Sequence, residues 1–175
     1  MAQWTHGRFG RSTGTSKDET TLAADAQAAY DFALPKLPGA IGRIVSYGHS
    51  LGSAPAIALA AANPGIRALI VESGFSNGQA MAESANPLGI PVGWLMRQPM
   101  LNTKRIATVT APVLVMHGEN DIQIPVAQGR ARYAAARGPK QLRIVAGAGH
   151  GNVEKALGVQ AYSALVRAFT NAAVP

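Results

Sequence analysis

The 175-residue chain is 47% hydrophobic, sets 16 Lys and Arg against 9 Asp and Glu for a formal charge of +7, and contains no cysteine. This fits one domain, residues 1–175, with a sizeable core, and it excludes disulfides, thiolate zinc sites and a cysteine nucleophile. The cations, Arg130/Arg132 and Arg137/Lys140/Arg143 included, are scattered without an aromatic-plus-basic motif; they read as a solvated surface, and nucleic acid is not an expected partner.

In chain order, KDETTLAADAQAAYDFAL (17–34) places Leu22, Ala26, Tyr30 and Ala33/Leu34 on one side, opens on acidic residues and stops before Pro35, which predicts a helix. RIVSYG (43–48) predicts a strand, and the small residues of LGSAPAIALAAAN (51–63) a helix running to Pro64. RALIVES (67–73) is a second strand. After it, 76–111 is broken by Pro87, Pro91 and Pro99 and is expected to be an irregular, cap-like insertion, with Trp94, Leu95 and Met96 lining a candidate acyl pocket. PVLVMHG (112–118) and QLRIVAG (141–147) are further strands; the helix between them follows Pro125 and is expected to end near Gly138. From Val153 to about Ala173 the pattern predicts one long helix with Leu157, Ala161, Leu165 and Phe169 on a stripe. The strands lack strict polar alternation and helical patterns lie between them, so the expected fold class is α/β, a mostly parallel sheet of about four strands flanked by helices.

No run reaches the roughly 18 apolar residues of a membrane helix. The opening MAQWTHGRFGRSTGTS lacks the apolar core of a secretory signal. A cytoplasmic location is expected.

The chemistry concentrates where strands end. Gly48-His49-Ser50-Leu51-Gly52 follows the first strand without a spacer and opens a helix. A serine on such a turn stands clear of the sheet in a strained conformation, and flanking glycines relieve the crowding. Gly74-Phe75-Ser76-Asn77-Gly78 matches the same pattern, but no comparable helix follows it, so Ser50 is preferred to Ser76. A serine hydroxyl needs an imidazole to take its proton and a carboxylate to hold that imidazole. In parallel sheets functional groups gather at the carboxyl ends of strands. Asp121 follows the third strand there and His150 the fourth, giving the chain order Ser50, Asp121, His150. Glu119 is a reserve acid, His49 is expected to point away from the site, and His117 to support the acid loop. No His, Asp or Glu grouping has metal-ligand spacing.

With GHSLGS, APVLVMHGENDIQIPVAQG and LRIVAGAGHGN in hand, the chain resembles the α/β-hydrolase superfamily. The nearest similarity is to its small-lid serine hydrolases, grouped with serine aminopeptidase-like proteins, prolyl-oligopeptidase-type domains and depalmitoylases. The resemblance implies a serine hydrolase that cleaves a carboxylic ester or thioester, with an amide less favoured, through an acyl-enzyme and without a cofactor or metal. It assigns Ser50 as nucleophile, His150 as base and acid, Asp121 as its orienting carboxylate, and the Leu51 N–H as an oxyanion donor. The family's upstream strands, and the loop that supplies a second oxyanion donor, find no match here; His6-Gly7 precedes too few elements to be that loop. A shortened fold is therefore expected, with the elbow strand at an edge open to self-association. The alternative is a catalytically impaired remnant that acts as an interaction module.

Overall fold

A computed structural model describes residues 19–39, 41–78 and 101–173. Helix α1 (Glu19–Ala33) gives way to a 3-10 turn at Leu34–Lys36, where Pro35 has no N–H to continue the ladder. Strand β1 (Val45–His49) passes through a second 3-10 turn (Ser50–Gly52) into α2 (Ser53–Ala62). There follow β2 (Ala68–Glu72), a short α3 (Asn102–Ile106), β3 (Val113–Gly118), α4 (Val126–Ala135), β4 (Lys140–Val145), α5 (Val153–Leu157) and α6 (Val159–Ala172).

All pairings are parallel, in the order β1-β2-β3-β4. This is the α/β class that the apolar runs predict. β2 and β3 are buried at every position because helices cover both faces of the sheet. Leu69, Val71, Val113 and Val115 pack on one side against Ile57 and Leu59 of α2 and Ile106 of α3. Ile70, Leu114 and Met116 pack on the other against Val153 of α5 and Leu165, Val166 and Phe169 of α6. Each such side chain removed from water contributes about 1.5–3 kcal/mol. Among the described residues β1 and β4 are the edges. At the rim, buried Glu72 accepts hydrogen bonds from the hydroxyls of Tyr47 (3.2 Å) and Tyr162 (2.8 Å), joining β1, β2 and α6. Burial, then the Glu72 charge, pushes the Tyr47 hydroxyl up to about 12.

Four expectations need correction. The tail helix breaks at Gly158, which adopts φ 81, and Ala161 is exposed while Tyr162 and Val166 join the apolar stripe. α4 ends at Ala135 rather than near Gly138; Ala136 turns extended and is buried against the core, which stops the helix without a left-handed glycine. The 76–111 stretch is not wholly irregular, since α3 forms there and seats Ile106, Val109 and Ala111 in the core; its residues 79–100, with Trp94, Leu95 and Met96, lie outside the described residues. Arg132 is fully buried, not solvated. No helix among the described residues is long and apolar enough to cross a membrane.

Candidate active site

The turn after β1 is sharp. His49 is extended (φ −106, ψ 139), Ser50 switches to a left-handed φ of 51, and the 3-10 turn then leads into α2. A non-glycine residue in that region costs on the order of 1–2 kcal/mol, so surrounding contacts must hold it. Ser46 Oγ donates to the Ala56 carbonyl (3.1 Å) and helps clamp α2 on β1. The two flanking glycines differ. A Cβ on Gly48 would overlap the Gly52 carbonyl oxygen and stand 2.7 Å from Ala56 Cβ and Ser53 Cα, whereas at Gly52 it meets nothing within 4 Å among the described residues. Among the described residues, crowding thus calls for glycine at Gly48 and not at Gly52.

Asp121 follows β3 and His150 follows β4, and backbone hydrogen bonds staple the two loops together. Glu119 N–H donates to the Val145 carbonyl (3.0 Å) and Asn120 N–H to that of Ala148 (2.8 Å). A Cβ on Gly118 would overlap the carbonyl oxygens of Ala148 and Gly149, so that close approach requires glycine at the end of β3. Asn152 Oδ1 accepts the Gly149 N–H (2.7 Å) and closes the histidine loop.

Ser50, Asp121 and His150 come together at this rim. His150 Nε2 lies 2.8 Å from Ser50 Oγ, and His150 Nδ1 lies 2.9 Å from Asp121 Oδ2. A carboxylate accepts only, so Nδ1 carries the proton and Nε2 receives the Ser50 O–H. Asp121 is buried; its Oδ1 accepts the N–H groups of Gln123 (3.0 Å) and Ile124 (2.8 Å). His117 Nε2 donates to the Ile124 carbonyl (2.8 Å) and stands 3.3 Å from Asp121 Oδ2. Burial alone would raise the Asp121 pKa. The hydrogen bonds from His117, His150 and Ile124 N–H outweigh it and hold the carboxyl well below the ordinary carboxylate range. Glu119, the reserve acid, is exposed. Among the described residues no His, Asp and Glu gather as a metal site requires.

No family model matches the sequence. An uncharacterised Mycobacterium tuberculosis protein, Rv2307c, is 35% identical over 156 residues, covering 89% of this chain and 55% of that protein. The α/β-hydrolase domain-containing protein aho-3 of Caenorhabditis elegans is 30% identical over 151 residues, covering 83% of this chain and 42% of that one. Acetyl xylan esterase from Paenibacillus sp. R4 superimposes with a TM-score of 0.71 at 20% identity, over 87% of this chain and 52% of the esterase. The chain belongs to the α/β-hydrolase superfamily. It spans about half the length of the curated relatives it matches.

Two polar residues of the chain lie elsewhere than the sequence suggests. His49, expected to point away, instead places Nε2 3.0 Å from the His150 carbonyl oxygen, because the histidine loop arches across the sheet to meet the end of β1. Arg132 lies on α4 with Nη1 against Gly74 and Ser53, and its three guanidinium nitrogens find no hydrogen-bond partner among the described residues. Burial pushes its pKa down to about 9. The Ser53 hydroxyl, at the start of α2, and the Ser73 hydroxyl, just after β2, are likewise buried without hydrogen-bond partners among the described residues. Helical spacing carried no signal that a charge would fall on the buried face of α4.

Proposed function

We propose that the chain is a serine hydrolase that cleaves a carboxylic ester or thioester through an acyl-enzyme, with an amide less favoured. The observation that carries this reading is the continuous Ser50–His150–Asp121 hydrogen-bond chain, built on a serine with φ 51. Ser50 Oγ attacks the acyl carbon while its proton passes to His150 Nε2. The imidazolium is stabilised by ionised Asp121, and the Leu51 N–H, at a helix start where backbone donors lack helical partners, faces the developing oxyanion. Collapse breaks the bond to the alcohol or thiol, which leaves with the proton from Nε2. Water then repeats the sequence on the acyl-enzyme and releases the acid. Trp94, Leu95 and Met96 are proposed to line the acyl side of the pocket.

Turnover of p-nitrophenyl acetate tests this. The wild-type chain is expected to hydrolyse it, and His150→Ala and Asp121→Asn each to lose about 10³–10⁴-fold in kcat. Turnover that survives His150→Ala would overturn the assignment.

A second reading is favoured by one observation: among the described residues β1 pairs on one side only, with β2. An open strand edge is a template for another strand, which suits an interaction module or self-association. Absence of turnover together with a dimer in sedimentation would select that reading.

A further inference from the structure

His49 has no role in the mechanism above, yet it grips the loop that carries the base. Its Nε2 lies 3.0 Å from the His150 carbonyl oxygen, and the two rings stand 5.1 Å apart, tilted by 51°. A carbonyl only accepts, so His49 Nε2 carries a proton and donates it. Ser50, the next residue, meets the other end of the same histidine at Nε2. His150 is therefore held at three atoms: its carbonyl oxygen by His49, Nδ1 by Asp121 and Nε2 by Ser50.

We infer that His49 is a positioning residue for release of the acyl group, keeping His150 aimed once Ser50 is esterified. The inference rests on the serine-hydrolase reading. In the free protein the Ser50 O–H donates to Nε2. Acylation replaces that hydrogen with the acyl carbon, and the tether at Nε2 is lost. Two holds remain, Asp121 on the ring and His49 on the backbone. In the second half-reaction a water oxygen bonds to the acyl carbon while its proton moves to Nε2. The C–Oγ bond then breaks, the proton passes to Oγ, and the carboxylic acid leaves a restored serine. Displacing a catalytic group by about 1 Å can cost on the order of 100-fold. The step with fewer tethers feels such a displacement more.

Stopped-flow kinetics with p-nitrophenyl acetate separate the two halves. His49→Phe keeps a ring but no donor, His49→Leu removes both, and His49→Gln restores an N–H at similar reach; thermal melts check that each folds. In either donorless variant deacylation is expected to fall about tenfold while acylation stays within about threefold, so that a burst of p-nitrophenolate appears or grows. His49→Gln is expected to recover to within about threefold of wild type. Wild-type deacylation in a folded donorless variant, or equal slowing of both halves without rescue by Gln, overturns this inference and leaves the hydrolase reading intact. A wild-type chain that forms no acyl-enzyme at Ser50 overturns both.

Discussion

After β1 the chain turns through Ser50 at φ 51, inside Gly48-His49-Ser50-Leu51-Gly52; after β2 it turns through Ser73 at φ 46 and runs into Gly74-Phe75-Ser76-Asn77-Gly78. Both strand ends hold a strained serine and both match the same glycine–serine pattern. At the first, α2 follows and the His150 ring arrives from a loop a hundred positions further along. At the second, the Ser73 hydroxyl is buried with no partner among the described residues, and Ser76 turns to Gln128, whose Oε1 accepts its N–H at 3.0 Å. Pattern and strain therefore occur at both turns, but they coincide on one serine at the first, whereas at the second the left-handed residue is Ser73 and the pattern's serine is Ser76. What separates them further is whether a distant loop delivers an imidazole already held by a buried carboxylate.

The largest test of that difference is a pair of substitutions. Ser50→Ala is expected to remove at least about 10⁴-fold of ester turnover, whereas Ser76→Ala stays within about twofold; a Ser76→Ala loss of similar size would break the comparison. A smaller contrast lies within the first turn. Gly48→Ala forces a Cβ into the backbone of Gly52 and Ser53, and is expected to cost about 3 kcal/mol and roughly 10 °C in Tm. Gly52→Ala, at φ −63, meets no atom of the described residues within 4 Å and should stay within about 1 kcal/mol of wild type.

At the second turn, the guanidinium of Arg132 packs against Gly74 and Ser53 without a hydrogen-bond partner among the described residues. Replacing a buried unpaired charge by an apolar chain of similar length, Arg132→Met, is expected to stabilise by about 2 kcal/mol in thermal melts. Destabilisation instead would show that the charge is satisfied.

The smallest effect concerns acid. Asp121 is held below its ordinary pKa, so its contribution to stability is complete above the unfolded value of about 3.9 and is lost as pH falls through the folded one. Melts from about pH 6 to about pH 3 should therefore show wild type losing more stability than Asp121→Asn.

The sheet was legible because Leu69–Val71 and Val113–Met116 are runs that only a doubly covered strand can hide. The three residues that meet at the rim were legible for a related reason: each sits just past the carboxyl end of a strand. The break at Gly158 was not, because Leu157 before it and Leu165 and Phe169 after it present apolar groups to one face whether or not the helix is continuous. His49 was missed because alternation along a strand gives the face a side chain occupies, not what a distant loop brings to that face. Gly52 was over-read for the opposite reason; a symmetrical motif suggested a symmetrical steric need, and among the described residues nothing crowds the Gly52 side.

The most direct measurement is exposure of the chain to a fluorophosphonate probe, followed by peptide mass spectrometry to locate the adduct. A single phosphonylated position at Ser50, formed far more slowly in His150→Ala, is the result the geometry predicts. An adduct at Ser76, or unchanged labelling of Ser50 without His150, would contradict it.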